Sequence, residues 1–150
     1  SKSDITIVIG GTGKSEDDFN FKYFKLLIDG LNLKPGRPFK SFIRKKKIFL
    51  FFPGNPCSSF VLTHILINSL ILKYQFSKDL IFYKEIDIKK IKFNFNSLIR
   101  KSFLFGFMKD DQNIKIFNNQ ESSNISNILK SNCLIYFNKT KKLRIYKIND

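Results

Sequence analysis

The sequence predicts an α/β unit followed by a small all-β domain, with the change near residue 75. Three observations carry this expectation. An apolar run over residues 5–9 ends in Gly10-Gly11, the pattern of a buried parallel strand that hands the chain to a turn. A long apolar stretch over 57–74 has the length of a helix and follows the turn Pro53-Gly54-Asn55-Pro56. Beyond Gln75, short apolar runs separated by polar turns replace both patterns.

Taken in order, residues 5–9 form the first strand. Ser15-Glu16-Asp17-Asp18 resembles a helix N-terminus, with carboxylates set against the positive end of the dipole and Ser15 able to cap it. Phe19, Tyr23, Leu26 and Leu27 recur at helical spacing, so a short helix is expected to about Ile28. Leu31-Asn32-Leu33 is extended. Residues 39–43 and 48–52 are two strands joined by the cationic turn Arg44-Lys45-Lys46-Lys47, and a helix buried on most of its circumference covers 57–74. In the second half, strands are expected over 80–86, 91–95, 103–108, 114–117, 134–137 and 143–148. Asp110-Asp111-Gln112-Asn113 is a hairpin turn, and the Ser/Asn-rich stretch 120–131 is a loop carrying one helical turn.

A length of 150 residues suffices for a substantial core. The formal net charge of +15 invites a nucleic-acid reading. Against it, Lys outnumbers Arg 23 to 4 and the chain has no Ala and no Trp. That is the drift of an A/T-rich coding sequence, and arginine, the better reader of bases and phosphates, is the scarcer cation. Two cysteines, Cys57 and Cys133, and one histidine, His64, make neither a disulfide framework nor a zinc set. This usage, with no signal peptide, fits a reducing cytoplasm. The longest apolar stretch, 60–72, is interrupted by polar residues and is expected to be too short to span a bilayer. The start at Ser1, without Met, suggests a fragment of a longer chain.

Three Gly/Pro loops carry the functional signal: Gly10-Gly11-Thr12-Gly13, Lys34-Pro35-Gly36-Arg37-Pro38 and Pro53-Gly54-Asn55-Pro56. Glycine lets the backbone approach a ligand, proline stiffens the approach, and successive N–H groups at such turns form anion-binding concavities. Lys34 and Arg37 add charge, and Ser58, in the first turn of the following helix, adds a hydroxyl. A phosphorylated or oxyanionic small molecule is the expected ligand. Gly10-Gly11-Thr12-Gly13-Lys14-Ser15 is not a P-loop, because Val8 stands where that signature needs glycine. Glu16 and Asp18 lie at the carboxyl end of a parallel strand, where α/β sheets bind ligands. They either hold Mg²⁺ or cap a helix. His64 is expected to be a core residue, Cys57 lacks a neighbouring base for nucleophilic work, and the alternating Phe93, Phe95, Phe103, Phe105 and Phe107 suit the inner face of a sheet.

The order and spacing of the three loops resemble the molybdopterin molybdenumtransferases, the family of MoeA and the gephyrin E domain. Gln120-Glu121-Ser122 is similar to the family's Gln-x-Ser loop, whereas Phe105-Gly106 stands where Arg-Gly is common. The resemblance implies a partial three-layer molybdopterin-binding α/β domain of MoaB/MogA-like type over 1–75 and a C-terminal β-barrel-like domain over 76–150. It further implies insertion of molybdenum from molybdate into adenylylated molybdopterin, with Mg²⁺-dependent release of AMP. Asp18 and Glu16 would then be the catalytic and metal-binding acids. The Gly10–Gly13, Lys34–Pro38 and Pro53–Pro56 loops, with Ser58 and Ser122, would bind the pterin and the oxyanion. The full-length protein would be a homodimer acting on a small molecule, without membrane or nucleic acid. A non-catalytic molybdopterin- or anion-binding module is the alternative, and a basic nucleic-acid-binding protein a third.

Overall fold

The computed structural model describes residues 3–13, 18–76, 82–111 and 113–148. Its strands form two mixed sheets. The first has the order β1-β5-β4-β2, made of β1 (Ile5–Ile9), β2 (Leu26–Asp29), β4 (Lys40–Arg44) and β5 (Lys47–Phe52). Only β1 and β5 run parallel in this sheet, with Ile5 opposite Ile48 and Ile9 opposite Phe52. The turn joining β4 to β5 places Lys45 and Lys46 at positive φ.

The second sheet has the order β3-β7-β9-β10-β6, with β8 paired to β7. Its members are β3 (Leu33–Lys34), β6 (Lys84–Asp87), β7 (Lys101–Met108), β8 (Ile114–Ile116), β9 (Cys133–Phe137) and β10 (Lys142–Lys147). Short as it is, β3 carries the chain from the first sheet onto the edge of the second, pairing in parallel with Lys101 and Ser102.

A continuous helical segment follows Pro53-Gly54-Asn55. It comprises α1 (Pro56–Leu62), a π-helical turn (Thr63–Ile67) and α2 (Asn68–Phe76). Proline in the first turn and an Asn55 side chain accepting from the Ser58 N–H at 3.2 Å start it as helix-capping rules require. On one side, Leu62 and Ile67 join Phe39, Leu50 and Phe52 in the core of the first sheet. On the other, Cys57 and Val61 pack with Phe103, Phe105 and Leu134 of the second. The far face of that second sheet holds a separate core around Leu104, Ile135, Leu143 and Ile145.

Several expectations need correction. No helix follows Asp18: a 3₁₀ turn (Phe21–Tyr23) and strand β2 occupy residues 21–29. Tertiary packing overrides the helical spacing there. Phe19, Phe21 and Phe24 pack on Phe42 and Phe51 and cover the face of the first sheet opposite α1. The expected Ser15 cap lies outside the described residues. Strand β1 is parallel as expected but not buried: it is an edge strand, and Ile7, Val8 and Ile9 are exposed. Residues 91–95 are not a strand. They lie between 3₁₀ turns at Ile88–Lys90 and Phe95–Ser97, and the i, i+4 pair Ile91 and Phe95 is buried in one core. Of the strand expected over 80–86, Lys84–Asp87 forms β6, and 80–81 lie outside the described residues.

The helix is also less enclosed than expected, for Ile71 and Tyr74 of α2 are exposed. Pro56–Gln75 counts 20 residues at mean hydropathy 1.3, long and apolar enough to cross a membrane by length and composition, contrary to the reading of 60–72 as too short. Its first half lies between the two sheets. The other expected elements stand. Strands β7, β8, β9 and β10 pair antiparallel, and a short helix α3 (Ile125–Lys130) interrupts the polar stretch. The Asp110 carboxylate accepts from the Asn113 N–H at 2.9 Å in the hairpin turn.

His64 lies in the π turn with its ring 4.4 Å from that of Phe60, and burial lowers its pKa. The unfolded chain therefore takes up the proton more readily. Stability supplied by the neutral ring is present above the ordinary imidazole pKa and is lost as pH falls below it. Thermal scans from pH 7.5 down to 5 should show a falling midpoint, and His64→Gln should flatten that fall.

Candidate functional site

Because β1 and β5 are parallel neighbours, their carboxyl ends deliver two of the three Gly/Pro loops side by side. The Gly10 N–H donates to the Phe52 carbonyl at 2.9 Å. A Cβ added to Gly54 would meet the Gly10 Cα at 3.5 Å, so the two loops touch backbone to backbone. Gly10 and Gly11 adopt φ +95° and +64°, conformations that side chains disfavour, and they turn the chain away from the sheet.

The third loop enters between β3 and β4. Pro35 and Gly36 are buried, and Gly36, at φ +120°, lies against Leu62 of α1, with its missing Cβ site 3.5 Å from Leu62 Cδ2. The loop is closed by its own backbone: the Phe39 N–H donates to the Gly36 carbonyl at 3.1 Å, and the Leu31 N–H to that of Arg37 at 2.9 Å. Arg37 and Pro38 are left facing solvent.

The first and third of these loops, through Thr12-Gly13 and Arg37-Pro38, border a cleft of about 770 Å³ that Lys40 and Arg100 also line, whereas Pro53–Pro56 does not reach it. Its acidic member, Asp29, forms an ion pair with Lys40. Among the described residues neither Arg37 nor Arg100 has a carboxylate partner. The cleft therefore presents two unneutralised guanidinium groups beside a glycine turn, which suits a phosphate or other oxyanion. Asp18 reaches its edge, since a Cβ on Gly13 would stand 2.7 Å from Asp18 Oδ2.

The remaining expected residues have different positions. Glu16 lies outside the described residues. Lys34 is exposed on β3 and does not line the cleft. Pro53–Pro56 braces the helix start. Asn55 caps it, the buried Ser58 hydroxyl donates to Asn55 Oδ1 at 3.5 Å, and the Ser59 hydroxyl donates to the Pro53 carbonyl at 2.6 Å. Ser122 sits in a loop anchored by Gln120. That amide accepts from the Phe105 N–H at 2.8 Å and donates to the carbonyls of Phe105 (2.9 Å) and Phe117 (2.7 Å). The Cys57 thiol donates to the Asn124 carbonyl at 3.5 Å, which holds this loop at the N-terminus of α1.

Phe105 is buried in the core and does not line the cleft, whereas Arg100 of the second half does. Lys40 and Arg100 are residues that sequence reasoning missed. A usable signal existed for the second: Arg100 is one of 4 arginines in a chain whose drift strongly favours lysine. Burial raises the pKa of Cys57 and pushes that of Cys133 up to about 12, which disfavours the nucleophilic thiolate at both.

The architecture is MoeA-like. It superposes on the molybdopterin biosynthesis MoeA protein of Pyrococcus horikoshii with a TM-score of 0.71, covering 99% of this chain and 38% of that one at 14% identity. A molybdenum cofactor biosynthesis protein of Pyrococcus furiosus gives 0.63, with 96% and 49% covered at 16% identity. In sequence, the chain is 36% identical over 67 residues to the molybdenum cofactor synthesis protein cinnamon of Drosophila melanogaster, a match covering 41% of this chain and 11% of that protein. No protein-family model matches. The chain thus spans less than half the length of these relatives, and its resemblance to the MoeA and gephyrin E-domain group holds in both sequence and fold.

Proposed function

We propose that the chain is the C-terminal part of a molybdopterin molybdenumtransferase, which transfers molybdenum from molybdate to adenylylated molybdopterin with release of AMP. The convergence of the Gly10–Gly13 and Lys34–Pro38 loops on one cationic cleft supports this reading most strongly. Residues 1–75 would be the later half of a three-layer MoaB/MogA-like unit, and 76–150 the C-terminal β domain. The likeness to proteins of molybdenum cofactor synthesis supports the same assignment.

In this reading Arg37 and Arg100 grip the phosphate and the molybdate, and the Gly10–Gly13 backbone receives the pterin edge. Asp18 is the essential acid, with Glu16 its neighbour. Carboxylate beside a phosphate site is the donor set that Mg²⁺ uses, since it is commonly held by one or two acids together with substrate phosphates. Asp18, at Gly13, fits that role. Mg²⁺ bound there would offset phosphate charge as the adenylate leaves. The full-length protein would act as a cytoplasmic homodimer on small-molecule substrates, without membrane or nucleic-acid partners.

Asp18→Asn is the discriminating variant. Binding of adenylylated molybdopterin should persist within about threefold, whereas AMP release by the full-length parent should fall at least about 100-fold. Unchanged AMP release in the variant would contradict the catalytic role of Asp18, whereas no AMP release by the parent itself would favour a non-catalytic binding module.

A further inference from the structure

A second cleft, remote from the Gly/Pro loops in sequence, opens between the helical segment and the second sheet. It has a volume of about 470 Å³, within the range of small-molecule sites. Leu134 and Ile145 line it as buried apolar groups, Leu72 lines it from α2, and Tyr83 and Tyr146 add two rings whose centroids lie 5.7 Å apart. We propose that this cleft is a binding site for a planar aromatic carboxylate, with its ring against Tyr83 and Tyr146 and its charge on Lys147.

The wall formed by the helical segment is built unusually. The π turn over Thr63–Ile67 widens the helix where His64 and Ile65 line the cleft, and such insertions occur frequently at functional sites. The His64 Nε2 is buried and has no hydrogen-bond partner among the described residues. Orphaned buried polar atoms are rare in folded proteins, and this one belongs to a ring that packs edge-on against Phe60. The imidazole, which lines the cleft, is thereby left with a nitrogen to offer to an occupant.

Charge decides the class of ligand. Of the cations lining the cleft, Lys84 is neutralised by its ion pair with Asp111. Lys147 is exposed and has no carboxylate partner among the described residues. The Arg144 guanidinium lies 4.7 Å from the centre of the Tyr83 ring and is neutralised by its ion pair with Glu85. One uncompensated cation beside paired aromatic rings matches a ligand with one flat ring system and one negative charge.

His64 is the sole histidine of the chain, so its imidazole proton signals stand alone in an NMR spectrum. Titration of the chain with 2-naphthoate should move these signals saturably, with a Kd below about 1 mM. Leu72→Trp, which fills the cleft, should abolish the shift. Lys147→Ala, an exposed change that leaves the fold intact, should weaken binding about tenfold. The uncharged analogue 2-naphthalenemethanol should bind about tenfold more weakly than the acid. Absence of a saturable shift in the folded parent would overturn the proposal, as would equal binding of acid and alcohol. An unaltered affinity in Lys147→Ala would do the same, and that variant decides the matter should Leu72→Trp fail to fold.

Discussion

Gly106→Ala is expected to destabilise the fold by about 3 kcal/mol, the upper end of the usual cost of overpacking. A Cβ at this position would stand 2.5 Å from Ile135 Cδ1 and 2.6 Å from the Lys115 carbonyl oxygen. The isoleucine can swing aside. The carbonyl cannot, because Lys115 belongs to β8, which pairs with β7 at this register. Relief would require β8 to separate from β7, and Phe105, the neighbour of Gly106, holds Gln120 and with it the Ser122 loop. Urea unfolding provides the measurement, with Phe107→Ala, at an exposed position next in the chain, as the control expected to change stability by about 0.5 kcal/mol or less. Equal stability of Gly106→Ala and the parent would contradict the close approach.

Arg37→Ala/Arg100→Ala should weaken molybdopterin binding by roughly 100- to 10,000-fold. Each guanidinium is expected to make a charge-assisted contact worth about 1.5–3 kcal/mol, and each 1.4 kcal/mol is a factor of about ten. Isothermal titration of the double variant beside Lys45→Ala/Lys46→Ala separates a built site from bulk charge. The second pair removes the same charge from the β4–β5 turn, away from the cleft, and should leave affinity nearly unchanged. Lys34→Ala, at a position that does not line the cleft, should fall between the two. Equal losses in both double variants, with a steep dependence on salt, would instead indicate non-specific attraction of a polyanion.

What could be read from the residues follows from what each pattern encodes. Loops announced by glycine and proline were legible because backbone conformation itself demands those residues: Gly10, Gly11 and Gly36 all adopt positive φ. The start of the helix at Pro56 and the strands β7, β9 and β10 were legible for similar local reasons. The stretch 19–29 was not. Its phenylalanines fit a helix by spacing, yet their rings are needed to cover Phe42 and Phe51, a demand that exists only once the sheet has formed. Ile7, Val8 and Ile9 suggested burial, but composition does not distinguish a central strand from an edge. At the site, Arg37 was visible beside its prolines. Arg100 lies 63 residues further on and reaches the cleft only through the crossover that sets β3 against Lys101.

Loops from separate parts of the chain are proposed to form one molybdopterin site, which amide NMR of the ¹⁵N-labelled chain can read residue by residue. Titration with molybdopterin should shift the amides of Thr12, Gly13, Gly30, Arg37 and Arg100 together, along one saturation curve. Shifts confined to the lysine-rich turns around Lys46 or Lys141, or none at all in the folded chain, would contradict it.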